Sequence, residues 1–219
     1  MFSKNTIGKK IQIILLLSTF LSSDGVAQDH SLKRSLGLKA GVNFTFLNLP
    51  KSFNARNHTG FLVGGYFSPR SSSRFGFRSE LLFSRQGYDY QHNRQTGSVL
   101  LNYLMLPQLT TFNITRFFQL HAGGQIAFLL NTKVDSSASP SSVPATPDDK
   151  GYFNKLNYGF AGGLEIKPVA GLFIGARYNL FFNLLNDAPS SPTMVPSYAP
   201  LYQGQLKNGL LQVYAGYTF

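Results

Sequence analysis

From residue 36 onward apolar positions recur at every second residue, and no amphipathic 3.6-residue repeat survives for three turns. In the first run Leu38, Ala40, Val42, Phe44 and Phe46 share one face, while Gly37, Lys39, Gly41, Asn43 and Thr45 share the other. The last run behaves alike: Leu211, Val213, Ala215, Tyr217 and Phe219 alternate with Gln212, Tyr214, Gly216 and Thr218. Such alternation predicts strands with one apolar face and one polar or small face. Further runs at 60–69, 74–87, 98–113, 117–133, 153–167 and 172–183 bring the total to eight. Several are long enough to cross a hydrocarbon core at a tilt.

The connections choose among β architectures. They fall at 47–59, 70–73, 88–97, 114–116, 134–152, 168–171 and 184–208, long and short in alternation. A soluble sandwich or lipocalin needs no such rhythm, whereas an outer-membrane barrel has tight periplasmic turns and long outer loops. An even strand number also puts both ends of the barrel chain on the short-turn side. The 136–147 stretch is rich in Ser, Pro and Ala, and 187–200 carries four prolines, which a central strand would not tolerate.

Alternation alone fits two environments: a soluble barrel with its apolar face inward, or a membrane barrel with that face in lipid. Three features favour the second. The runs exceed the five or six residues usual in globular strands. Glycines 37, 41, 76, 123, 163, 175 and 216 sit among the polar positions, as a narrow lumen requires. Aromatics such as Phe46, Phe67, Tyr88, Tyr90, Phe117, Tyr217 and Phe219 gather near strand ends, where a membrane interface would hold them. The expected fold is all-β, an eight-stranded antiparallel up-and-down transmembrane β-barrel. Its interior is just wide enough to be filled by side chains, so no open channel is expected. The polar face supplies a lumen network of Lys39, Asn43, Arg78, Glu80, His121, Gln125, Glu165 and Arg177, with Gln119, Lys155 and Asn179 beside them. Within it Lys39, Arg78 and Arg177 are expected to neutralise Glu80 and Glu165, since unpaired buried charges are costly.

The segment before the strands reads as an address. Lys4, Lys9 and Lys10 precede the apolar run 11–21, and Gly25-Val26-Ala27 offers small residues at a cleavage site. Eleven apolar residues are too few for a transmembrane helix. Residues 1–27 are therefore expected to be a cleaved signal peptide and 28–219 the barrel domain, with no second domain or linker.

Composition narrows the function. The 219 residues are 43% hydrophobic, 14% aromatic and only 13% charged, with no cysteine. That excludes a disulfide framework, a cysteine-ligated zinc site and thiol catalysis. Twenty Lys and Arg against nine Asp and Glu give a formal charge of +11, which falls to +9 without the leader. The positives are scattered rather than clustered, so no nucleic-acid partner is expected. Arg56, Arg94, Lys133, Lys150 and Lys207 lie in or beside outer loops, where lipopolysaccharide phosphates would be partners; solubilising charge explains them equally.

No catalytic, cofactor or metal site is expected. Of the histidines His30, His58, His92 and His121, only His121 falls in a strand run, and no HExxH motif or carboxylate triplet occurs. Asp135, Asp148 and Asp149 flank the third outer loop and read as solvated. A lipid-modifying enzyme would need Ser, His and a carboxylate together at the outer rim, whereas His121 faces the lumen in the periplasmic half.

The segments GLKAGVNFTFL (37–47), SELLFSRQGYDY (79–90), NYLMLPQLTTF (102–112), LHAGGQIAFLL (120–130), GFAGGLEI (159–166), GARYNLFFNLL (175–185) and LLQVYAGYTF (210–219) follow one another in order. Together they resemble the PorT-like outer-membrane β-barrel family of Bacteroidota over essentially the whole barrel chain. The resemblance implies an integral outer-membrane barrel; the role expected for this chain is structural or interactive, with no catalytic activity, in contact with lipid and an envelope protein partner. A small-solute barrel is the alternative, and a lipid-modifying enzyme comes third. The member that names the family is implicated in secretion across the outer membrane, a role that belongs to one branch. Similar barrels end on an aromatic with another two residues before it. By that analogy Gly216, Tyr217 and Phe219 form the signal that the barrel-assembly machinery reads by edge pairing; a plain interfacial anchor is the competing role for Phe219.

Overall fold

The computed structural model describes residues 34–47, 54–57, 59–69, 74–92, 95–136, 154–183 and 208–219. The segment 1–27 lies outside them. The strands are β1 (Arg34–Leu47), β2 (Asn54–Asn57), β3 (Thr59–Pro69), β4 (Phe75–His92), β5 (Gln95–Asn113), β6 (Phe118–Ser136), β7 (Leu156–Val169), β8 (Leu172–Phe181) and β9 (Asn208–Thr218). β2 takes up the line of β3 beyond His58 and pairs only with the outer end of β4. The other eight form a closed antiparallel ring in the order β1, β3, β4, β5, β6, β7, β8, β9 and back to β1. Closure removes the exposed edges that lipid would leave without hydrogen-bond partners.

Two boundaries depart from the sequence pattern. The polar stretch 88–97 reads as an outer loop, yet β4 and β5 run on as one hairpin to the pair His92–Gln95. The first outer connection likewise contains β2. Above the membrane a strand needs no apolar face, so its polarity hides it from a hydrophobic alternation test while its backbone still gains ladder hydrogen bonds. β4, β5 and β6 thus reach 18, 19 and 19 residues against 10 in β8, well beyond the roughly 9–11 that cross a bilayer. Lys155 departs too: it sits exposed just before β7, which starts at Leu156.

The faces take the membrane arrangement. Phe75 is 62% exposed, Phe160 59% and Leu38 60%, while Glu165 is 0% and Arg177 1% exposed. A soluble barrel would show the reverse. At the outer edge of the apolar band Arg85 Nε donates to Asn102 Oδ1 at 3.0 Å, and Asn102 Nδ2 donates to Asn131 Oδ1. The β5–β6 register slips at the same height, between Asn102 and Tyr103. Aromatic pairs mark both margins: Phe75 with Phe112 (4.9 Å between centroids) and Tyr217 with Phe219 (5.3 Å) on the short-turn side, Phe160 with Phe182 (5.4 Å) on the other.

Lumen glycines make room for inward rings. A Cβ on Gly37 would strike the Tyr66 ring, and one on Gly216 would strike Phe173. At Gly175 an added Cβ would lie 2.8 Å from both Glu165 Cγ and the Tyr214 ring. Gly175→Ala is expected to lose about 1–3 kcal/mol through overpacking, read as a lower unfolding midpoint in urea. Gly171, at φ 82°, turns β7 into β8.

Candidate functional site

Glu80 on β4 and Arg177 on β8 stand four strands apart around an eight-strand ring, on opposite walls. Their side chains meet across the lumen in a two-pronged ion pair: Arg177 Nη1 lies 2.7 Å from Glu80 Oε2, and Nη2 donates to Oε1 at 2.9 Å. Lys39 Nζ on β1 adds a third contact, 2.7 Å from Glu80 Oε2. A second brace joins Arg78 Nη1 on β4 to Glu165 Oε1 on β7 at 2.6 Å. The guanidinium of Arg78 also donates through Nη2 to Gln119 Oε1 at 2.8 Å.

Aromatic rings wall the charges in. Tyr214 donates its hydroxyl to Glu165 Oε1 at 3.0 Å. Its ring lies under the Lys39 ammonium, 4.1 Å from ring centroid to Nζ. Arg78 stacks over Tyr66 at 4.3 Å. Cation–π contacts of this kind gain strength where water is excluded. His121 completes the cluster: Arg177 Nε donates to its Nε2 at 3.1 Å, so that nitrogen carries the lone pair. An imidazole held in this way is a structural acceptor beside a cation.

Of the residues assigned to the lumen from sequence, Lys39, Arg78, Glu80, His121, Glu165 and Arg177 meet in this one cluster. Asn43 sits apart, its Nδ2 lying 2.8–2.9 Å from three acceptors, Phe61 O, Ser84 Oγ and Arg85 O, which share its two hydrogens. Gln125 is buried without a hydrogen-bond partner among the described residues. Tyr66 and Phe173 belong to the cluster's frame and carried no polar signal in the sequence; Tyr214 shared the polar face with Gln212, which is the signal that places it inward.

At the end of β9, Tyr217 and Phe219 point outward from the rim, while Gly216 faces inward beneath Phe173. Among the described residues no group of three or more His, Asp or Glu converges. His30, Arg94, Asp148, Asp149, Lys150 and Lys207 lie outside the described residues, as does His58.

A closed barrel with an apolar belt outside and a charged, hydrogen-bonded interior is an integral outer-membrane protein. The chain belongs to the family described as outer membrane protein beta-barrel domain, whose model matches residues 26–185. Similar solved structures include Ail, the attachment invasion locus protein of Yersinia pestis, at 14% identity over 84% of this chain and 98% of that one, TM-score 0.46. Neisserial surface protein A matches at 13% over 85% and 97%, TM-score 0.47. The outer membrane protein OprG from Pseudomonas aeruginosa matches at 12% over 84% and 95%, TM-score 0.42. No curated protein sequence matches significantly.

Proposed function

We propose that this barrel is a non-catalytic, non-conducting interaction protein of the PorT-like family. On this reading it anchors in the outer membrane and offers its outer segments to an envelope partner. The observation that carries it is the Glu80–Arg177 brace, which joins opposite walls through side chains 97 positions apart. An ion path along the axis would have to break it. The ordered motifs from 37–47 to 210–219 support the PorT-like assignment, and the outward Tyr217 and Phe219 on the terminal strand suit both edge recognition during assembly and interfacial anchoring.

The test is conductance in planar bilayers, paired with photo-crosslinking from the segments 137–153 and 184–207 in intact cells. The expected result is no unit conductance and a discrete crosslinked band. Steady channels would move the protein to the solute-handling class. A changed lipid A mass pattern on deletion would make it a lipid-modifying enzyme.

A further inference from the structure

The periplasmic mouth of the barrel holds a cavity of about 280 Å³ that the ion-pair cluster does not fill. Arg78 closes its inner end, and Lys167, on the irregular end of β7 before the Gly171 turn, stands at its side. The rest of its lining is mostly polar, with the hydroxyls of Ser35, Tyr66, Thr111 and Thr218. None of the described residues that line it carries a carboxylate side chain.

The charge balance here is lopsided. Within the lumen Lys39, Arg78 and Arg177 share two carboxylates, Glu80 and Glu165, which leaves one positive charge in excess. Lys167 adds another; among the described residues it forms no salt bridge, and Glu165 attracts it only from a longer distance. On the neighbouring turns Arg74 and Arg116 are exposed, and the described residues of this rim set against them no Asp or Glu side chain but the α-carboxylate of Phe219, whose N–H donates to Leu36 O. Positive charge at the mouth of a low-dielectric pore focuses the field and draws anions inward.

We propose that this mouth is a binding site for a phosphate group presented from the periplasmic side. The donors decide the class of anion. A carboxylate offers two oxygens. A phosphate monoester offers three terminal oxygens and close to two charges, which suits an ammonium, a guanidinium edge and a ring of hydroxyls. The volume admits the phosphate with a small substituent, of glycerol size. Two sources present that chemistry: a soluble phosphate ester or an inner-leaflet lipid headgroup.

The test uses the full barrel in phosphatidylcholine nanodiscs, titrated with inorganic phosphate and with glycerol 3-phosphate and followed by the amide NMR shifts of Ser35, Gly76, Gly171 and Thr218. Saturable shifts are expected, with sulfate competing and acetate binding at least tenfold more weakly. Lys167→Gln should weaken phosphate at least tenfold, and Ser35→Ala by several-fold. Lys133→Gln, at the opposite end of the barrel, should change nothing. A second arm replaces a third of the lipid by phosphatidic acid with no soluble phosphate present. Shifts of the same amides there identify the headgroup as a source; shifts in the first arm alone identify a soluble ester. Non-saturable shifts, acetate binding as tightly as phosphate, or Lys167→Gln and Ser35→Ala both indistinguishable from wild type would overturn the proposal. Each variant is first checked for the folded barrel by its mobility on an unboiled SDS gel.

Discussion

Replacing Glu80 with alanine is expected to destabilise the barrel by about 3–5 kcal/mol, the loss typical when one member of a buried ion pair is removed. Glu80 is 1% exposed and holds Arg177, Lys39 and, at 3.9 Å, Arg78. Without it three cations face Glu165 alone, in a space whose walls exclude water. The loss should persist at high salt, because buried charges are screened little by mobile ions. Glu80→Gln keeps the shape and returns only part of the loss, since an amide can accept from Arg177 but carries no charge. Replacing Glu80 and Arg177 together by methionine removes one charge of each sign and should restore more stability than either single change predicts by addition. The chain has no tryptophan, so urea unfolding is best followed by tyrosine fluorescence or by the folded and unfolded bands on an unboiled SDS gel. An alanine variant within about 1 kcal/mol of wild type would mean that the brace contributes little to holding the walls together.

Val213→Arg is the second large effect expected, at about 2–4 kcal/mol, because it places a cation near the midplane of the lipid-facing band. Val213 pairs with Val42 on one side and Ala176 on the other, and all three side chains face outward. Along β9 it stands between Leu211 and Ala215, away from both aromatic margins. Tyr217→Arg, on the same face but at the rim, should lose only about 0–1 kcal/mol, since a long basic side chain there reaches the headgroups. The ratio between the two variants is the informative quantity. Equal losses would mean that the face does not span a hydrocarbon gradient.

The lumen cluster shows how far alternation reaches. Inward placement of Glu80, Glu165 and Arg177 is a local property: in a strand of fixed pleat, the run of apolar residues at alternate positions beside them dictates the face. Strand number and the polarity of the two faces are legible for the same reason, because lipid demands a nearly unbroken apolar belt and so leaves a strong period-two signal. Polar hairpin ends such as 88–92 carry no such demand, and there the pattern is silent about β4 continuing.

The amino-acid sequence by itself therefore determined the eight strands of the ring, their antiparallel rhythm and the inward direction of Lys39, Arg78, Glu80, Glu165 and Arg177. Only the closed ring decided which charges meet. Glu80 finds Arg177 rather than Glu165's neighbours because the register of every ladder sets the height of each residue along the axis, and those offsets accumulate around the barrel until β9 joins β1. The same accumulation brings Arg78 on β4 and Lys167 on β7, three strands apart around the ring, to one periplasmic mouth. Side-chain direction is encoded over two residues, whereas side-chain height on facing walls is a property of the whole circuit.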